Sequence, residues 1–346
     1  MQQALIALSQ QTREGNNQSV GLYRRVVAQA PGFADGWGAL AYAYAHAASV
    51  RESGEARILR DRARAAAERA LALDHANGLA QVALAINRPA IGNWLQIERA
   101  LRKALAWYPD EPQLLFTLAM ELGSVGRFSE ALALAERVTG LLPPSPNLYY
   151  FRIRALWALN RLEEADRMMA EAASLYPSQF GLWFLRFYIP MFSGRPGAAI
   201  ALSEDREQRP TGISTAEFDS ILRVARAIQR PNPSAVDAVV AEQMQRARQG
   251  AGYAENAIQF ACALGRVDTA FAIADAYYMG RGFTVPEVRF TPEQGSYSPP
   301  GDRMTAFLFM PVLAPMRADP RFGRLVAALG LEKYWKESGS RPDYRV

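Results

Sequence analysis

The sequence predicts an all-α protein, a right-handed α-solenoid of antiparallel helix pairs with a two-helix C-terminal cap. Large apolar residues, a turn residue and small residues return in the same order about every 34 residues, and a fixed period of that length is typical of stacked helix–turn–helix units. No stretch alternates polar and apolar residues with the two-residue period of a strand.

The clearest unit covers residues 112–145. Gly126 marks the turn between its two helices, and Pro143 ends the second helix. Its inner apolar stripes comprise Leu115, Leu118, Ala119, Ala131, Ala135 and Val138. Alanine lets two helices approach closely, and glycine tolerates the left-handed conformation that a tight turn needs. Residues 78–111 and 146–179 repeat this pattern in the same phase, so we expect a continuous array of such pairs.

The repeat pattern weakens on both sides of this centre. We expect residues 1–284 to form about seven to eight helix pairs, regular at 78–179 and degenerate at 212–250. An insertion around Gly54 predicts longer helices or a longer turn in the second pair. Pro190 falls inside a predicted first helix and predicts a kink there.

A different composition follows the repeats. Residues 285–303 are rich in Pro, Gly and Ser and lack a helical period, so they are predicted to form a loop. Residues 304–346 are predicted to form capping helices, one from Thr305 to Ala318 and one from Arg321 to Ser338. The simplest role for this segment is to cover the last repeat with Phe322, Leu329 and Trp335.

The repeat units resemble the tetratricopeptide-repeat (TPR) family over roughly residues 1–284. The C-terminal segment is similar to the end of the TPR region of bacterial regulators that carry a winged-helix or adenylate-cyclase-like domain. The residues that carry this second likeness are Leu308 to Pro311, Met316 to Phe322, Leu329 to Leu331, Tyr334-Trp335 and Pro342-Asp343. The likeness implies a sensory or assembly module of a signalling regulator, and it transfers no catalytic residue.

The residue types that usually carry out catalysis or bind metals give no support to an enzymatic function. Cys262 is the single cysteine, and the two histidines, His46 and His75, have no Cys or carboxylate cluster near them in sequence, so no metal is predicted. Neither a glycine-rich phosphate loop nor a serine in a Gly-x-Ser-x-Gly context occurs. We predict a non-enzymatic protein with no cofactor.

The distribution of charge and the hydropathy of the chain limit the classes of partner that we expect. The chain carries 39 basic and 34 acidic residues, a net charge of +5. Its arginines are spread over many helices among acidic residues and follow no repeat-locked position, so nucleic-acid contact is not predicted. No segment is long and apolar enough for a membrane span. The expected location is the cytoplasm, or the periplasm if the chain is part of a membrane-tethered parent.

The positions that line the concave face of a TPR array are unusually aromatic. The first helix of each unit faces this groove, where the fold itself does not demand large apolar side chains, and contiguous apolar patches usually have a use. The predicted groove residues are Tyr42, His46, Phe116, Met120, Tyr150, Arg154, Trp157, Phe184, Tyr188 and Phe192. Arg154 is the one charged residue among them and would orient a carboxylate or a carbonyl group.

Three occupants of the groove remain open. The protein's own loop at 283–303 or its segment Met304 to Met316 would fill it, a foreign peptide or helix would bind it, or a small apolar ligand would enter it. The main prediction is a scaffold that binds a peptide or helix of a partner protein. The alternative is a ligand-sensing or assembly module of a bacterial transcriptional or signalling regulator.

Overall fold

A computed structural model describes residues 2–9 and 13–345. Within them, sixteen α-helices between Gln2 and Met279 form eight sequential pairs. The first four pairs are α1 (Gln2–Ser9) with α2 (Arg13–Gln29), α3 (Ala34–Ser49) with α4 (Ser53–Leu73), α5 (Gly78–Ile86) with α6 (Trp94–Trp107), and α7 (Pro112–Ser124) with α8 (Phe128–Thr139). The next four are α9 (Pro146–Ala158) with α10 (Leu162–Leu175), α11 (Phe180–Phe192) with α12 (Pro196–Glu204), α13 (Thr215–Gln229) with α14 (Pro233–Ala247), and α15 (Ala251–Ala263) with α16 (Val267–Met279). The predicted all-α fold class is confirmed.

The turn between the two helices of a pair has a recurring geometry. Gly126, Asn160, Gly194 and Gly265 all adopt a positive φ, between 57° and 82°. The next residue in each case donates its backbone N–H to a carbonyl five positions earlier, as Arg127 does to Leu122 at 2.8 Å and Arg266 to Ala261 at 2.8 Å. This is the Schellman ending, which requires a left-handed residue and so favours Gly or Asn.

Alanines hold the two helices of a pair close together. Ala119 and Ala131 in the fourth pair and Ala257 and Ala270 in the last pair are completely buried. A methyl side chain allows the backbones to approach while still excluding water. The second pair, α3 and α4, is longer than the others, so the insertion around Gly54 lengthens the helices. Helix α11 continues through Pro190, which lies in its last turn.

The C-terminal segment (residues 283–345) departs from the prediction. It has three short helices, α17 (Ala314–Ala318), α18 (Arg321–Ala328) and α19 (Leu331–Ser338), after a run of 3₁₀ turns. The residues from Thr305 to Leu313 are not α-helical, because Pro311 and Pro315 cannot donate the backbone bonds that a continuous helix needs. Gly330, with a φ of 71°, separates α18 from α19.

The C-terminal segment also packs elsewhere than expected. Its beginning lies on α15, where the carbonyl oxygens of Val288 and Arg289 accept hydrogen bonds from the amides of Ala251 and Gly252 at 2.7 and 2.8 Å. Its end reaches the middle of the array, where the Trp335 Nε1 donates to the carbonyl oxygen of Val125 at 2.9 Å. Leu329 and Trp335 were predicted, with Phe322, to cap the last repeat, but the hydrogen bonds of Leu329 and Trp335 go to α6 and to the α7–α8 turn.

Candidate binding surface

The ten predicted groove residues lie on four first helices, α3, α7, α9 and α11. Within each helix they are three or four residues apart, as are Phe116 and Met120 or Tyr150 and Arg154. Residues at that spacing lie one above the other on one face. The structure thus places each helix's members on one stripe, but their surroundings differ from helix to helix.

Tyr42 is buried rather than groove-lining. Its side chain is only 3% exposed, and its hydroxyl lies 2.7 Å from the Thr117 hydroxyl, a bond that joins α3 to α7 across α5. Burial raises the pKa of Tyr42 above its ordinary value. Tyr42 was predicted to face a partner, but Thr117 of α7 packs against its phenol and leaves it buried.

His46 lies one turn beyond Tyr42, with the two ring centroids 4.5 Å apart in an edge-on arrangement. Its Nε2 is shielded from solvent and has no hydrogen-bond partner within the described chain. Burial lowers the pKa of His46 to about 4. The imidazole is therefore neutral at physiological pH and contributes polarity without charge.

The α7 and α9 part of the stripe remains partly open. The Met120 side chain is 39% exposed, and Phe116 packs edge-on against Phe151 with centroids 5.5 Å apart. The guanidinium carbon of Arg154 lies 5.4 Å from the centre of the Tyr150 ring. Within the described residues, Arg154 has no ion pair or hydrogen bond. The cation–π contact with Tyr150 is therefore the one interaction that stabilises its charge there.

The rings of α11 form a ladder. Phe184, Tyr188 and Phe192 stack on one another at centroid distances of 5.6 and 5.9 Å, and each is partly exposed. Phe192 in turn stacks on Trp157 of α9 at 6.0 Å with the ring planes 3° apart. Phe260 of α15 contacts both Tyr188 and Phe192, which closes the ladder on its far side.

Trp157 belongs to the core. Its side chain is 4% exposed, because the face of the indole is covered by Phe192 at the end where α9 and α11 converge. Trp157 therefore does not line the groove surface as predicted, and we expect its removal to affect folding. Phe151, Thr117 and Phe260 complete the surroundings of the stripe and were not identified from the sequence, since none occupies a predicted groove position.

The protein's own C-terminal segment covers the α15 end of this region. Arg289 forms an ion pair with Glu255 of α15 at 2.6 Å, and Phe290 packs edge-on against Tyr253 at 5.1 Å. Burial acts to lower the pKa of Arg289, but Glu255, Tyr277 and Tyr150 outweigh it, so the pKa is raised. Arg289 therefore stays charged in its ion pair with Glu255.

One carboxyl group near the stripe carries unusual electrostatics. Glu121 follows Met120 on α7, and its Oε2 is shielded from solvent without a hydrogen-bond partner in the described chain. Burial, and then the negative charge of Asp302 in the C-terminal segment, raise the pKa of Glu121 to about 7. Nothing in the local sequence signals this, because Asp302 is distant along the chain.

The described residues offer no sites of two other kinds. No group of three or more His, Cys, Asp or Glu side chains among them is placed to hold a metal ion. No helix in residues 2–9 and 13–345 combines the length and apolar character needed to cross a membrane.

The turn geometry, the buried alanines and the sequential pairing define the molecule as an all-α array of antiparallel helix pairs. The crystal structure of yeast Tom70 is similar, with a TM-score of 0.44 and 12% identity. That match covers 91% of this chain and 62% of the Tom70 chain, so the chain spans less than two thirds of the length of that protein. No family model matches the sequence, and no curated protein does.

Proposed function

We propose that the protein is a non-enzymatic scaffold that holds a peptide or helix of a partner protein against α7, α9 and α11. The surface is a strip of partly or largely exposed side chains, which we call the Arg154 strip. It consists of Phe116, Met120, Tyr150, Arg154 and Phe184. Tyr188 and Phe192 support it from the ladder beneath.

The observation that carries this proposal is the state of Arg154. Several half-exposed guanidinium groups in this protein are paired with carboxylates, as Arg161 is with Glu164 and Arg195 with Asp166. Arg154 instead lies over an aromatic ring among apolar side chains, without a carboxylate partner in the described residues. A carboxylate or carbonyl oxygen of a bound segment would complete its hydrogen bonds, and the neighbouring rings would bury apolar side chains.

Site-specific photo-crosslinking in the cell of origin tests this proposal. A benzophenone amino acid at Met120, which is 39% exposed, should form an adduct with one protein. Arg154→Glu should abolish that adduct, because it places a negative charge where a carboxylate is expected to bind. Arg167→Glu is the matched control, since Arg167 is exposed on α10 of the same pair. Equal adduct yields from all three chains would overturn the proposal.

One observation favours a second candidate, a ligand-sensing or assembly module of a bacterial signalling regulator. The segment that resembles such regulators contacts α15 and α16 at one end and bonds the α7–α8 turn at the other. A ligand that changed the spacing of the pairs would therefore act on the C-terminal segment as well. The same crosslinking experiment separates the candidates, because a small-molecule adduct of a few hundred daltons would support the sensor and contradict the scaffold.

A further inference from the structure

A cavity of about 630 Å³ opens between α2, α3 and α4, away from the Arg154 strip. Its floor includes Leu40 and Tyr44 of α3, which are 3% and 6% exposed, and Val27 of α2. Trp37 lines its edge and donates its indole N–H to the carbonyl oxygen of Pro31 at 2.9 Å. The indole therefore presents an apolar ring to the cavity, with its polar atom already satisfied.

Three arginines stand around this apolar floor. Arg24 of α2 and Arg62 and Arg69 of α4 line the cavity and are exposed. Among the described residues, none of the three has an ion pair or a hydrogen bond. On the same helix, by contrast, Arg60 pairs with Asp302 and Arg64 with Asp61. Arg57 of α4 is also unpaired within the described chain but does not line the cavity, so the three cavity arginines are distinguished by their place around the apolar floor.

The two arginines of α4 have a defined spacing. Arg62 and Arg69 are seven residues apart, which is two turns or about 10 Å along the helix axis. The alanines Ala65 and Ala66 lie between them and line the cavity. Small side chains there leave room for a side chain from outside to reach Leu40 and Tyr44. Basic groups therefore flank an apolar opening of roughly one helix width.

We propose that this cavity, the α2–α4 site, binds an acidic amphipathic helix of a partner protein. Carboxylates two turns apart on that helix would meet Arg62 and Arg69, because a guanidinium fork matches a carboxylate in two parallel hydrogen bonds. A Leu or Phe between them would enter over Leu40 and Tyr44. Val27, Leu40 and the alanines provide aliphatic surface for such a side chain, and Tyr44, at 6% exposure, leaves little ring for a nucleotide base to stack on. The net charge of +5 attracts acidic partners.

Fluorescence anisotropy with a designed probe tests the α2–α4 site. The probe is a fluorescein-labelled synthetic helix with Glu at positions i and i+7 and Leu at i+3 and i+4. We expect the full chain to bind it roughly tenfold more tightly than the same helix with Gln in place of Glu. Arg62→Glu combined with Arg69→Glu should remove that preference. Arg57→Glu is the matched control, because Arg57 is exposed on α4 but does not line the cavity.

A shape variant separates apolar from electrostatic binding. Ala65→Trp should fill the opening and weaken the probe by roughly tenfold without altering charge, and the exposure of Ala65 makes it compatible with folding. The Arg154→Glu variant should bind the probe as tightly as the unmodified chain does. A failure of the proposal for the Arg154 strip can therefore be distinguished from a failure of the proposal for the α2–α4 site.

Four results would overturn the proposal. The first two are that the chain does not bind the Glu probe, or that it binds the Gln probe with equal affinity. The other two are that Arg57→Glu loses the preference for the Glu probe as fully as the double variant does, or that Ala65→Trp binds the probe with unchanged affinity. Binding of single-stranded oligouridine and of phosphatidylserine vesicles is measured in the same way. Tighter binding of either, lost in the double charge reversal, would make the cavity a phosphate-binding site and contradict the assignment to an acidic helix.

Discussion

Glu121 connects the protonation of one carboxyl group to the stability of the fold. Burial and the charge of Asp302 raise its pKa from 4.5 to about 7. Because the folded state holds this proton more tightly than the unfolded chain, the stability contributed by Glu121 is complete below about pH 4.5. It is lost as the pH rises through about 7.

We therefore expect Glu121→Gln to raise the free energy of unfolding at pH 8 by roughly 2 kcal/mol. At pH 4 the substitution should have little effect, since the carboxyl group is then neutral in both states. Urea unfolding at pH 4, 6 and 8 checks this, with Glu136→Gln on the exposed face of α8 as the control. An unchanged pH dependence in Glu121→Gln would contradict the assignment.

Trp157 and Met120 allow a test of which stripe residues are structural. Trp157→Ala should cost about 3–5 kcal/mol of stability, because it empties a space between α9 and α11 that the indole fills. Met120→Ala should cost less than about 1 kcal/mol, since that side chain is 39% exposed. Urea unfolding monitored by circular dichroism measures both, and similar losses in the two variants would place Met120 in the core as well.

The sequence predicted the stripe but not the exposure of its members. Spacings of three and four residues within α9 and α11 put Tyr150, Arg154 and Tyr188 on single faces, which local periodicity determines. The burial of Tyr42 depends on Thr117, 75 residues away, and that of Trp157 on Phe192. Such contacts depend on how successive pairs pack on one another, which the pattern of a single repeat does not specify.

At the scale of the helix pair, arginine has a role that was not recognised in the sequence. Arg127, Arg161, Arg195 and Arg266 each follow the left-handed residue of the turn. Each pairs with an acidic residue, and three of them reach back to the preceding pair, to Glu98, Asp166 and Asp237. The statement that the arginines follow no repeat-locked position is wrong, and these arginines serve the stacking of pairs.

The arginine at this turn position should contribute different amounts to the free energy of unfolding in different pairs. Arg127 meets Glu98, whose side chain is only 8% exposed and also accepts from the Tyr334 hydroxyl. Arg195 and Asp166 are both more than 40% exposed. We expect Arg127→Met to cost about 2–3 kcal/mol, because it leaves a buried carboxylate short of a cation, and Arg195→Met less than about 1 kcal/mol. Thermal melts of both variants decide this, and equal shifts would contradict it.

At the scale of the whole molecule, the C-terminal segment ties distant pairs together. Asp302 forms an ion pair with Arg60 of α4, the amide of Ile91 donates to the carbonyl oxygen of Gly301 at 3.0 Å, and Ser129 of α8 bonds Asp343. The period of the repeats predicted the pairs themselves. It could not predict this path, because residues 285–303 have no period and Asp302 meets its partner Arg60 across 242 positions.

Substitution of Trp335 should weaken this bridge more than substitution of its other residues. Trp335 is 6% exposed, contacts Phe309 and bonds the carbonyl of Val125. Trp335→Ala should therefore speed amide hydrogen exchange in α6–α8 as well as in α18 and α19, while α11–α14 stay protected, because repeat arrays open locally where a neighbour is lost. Trp107→Ala, at a tryptophan that is 43% exposed, should leave exchange unchanged. If only α18 and α19 exchanged faster after Trp335→Ala, the segment would be a passive cover and not a bridge that stabilises the middle of the array.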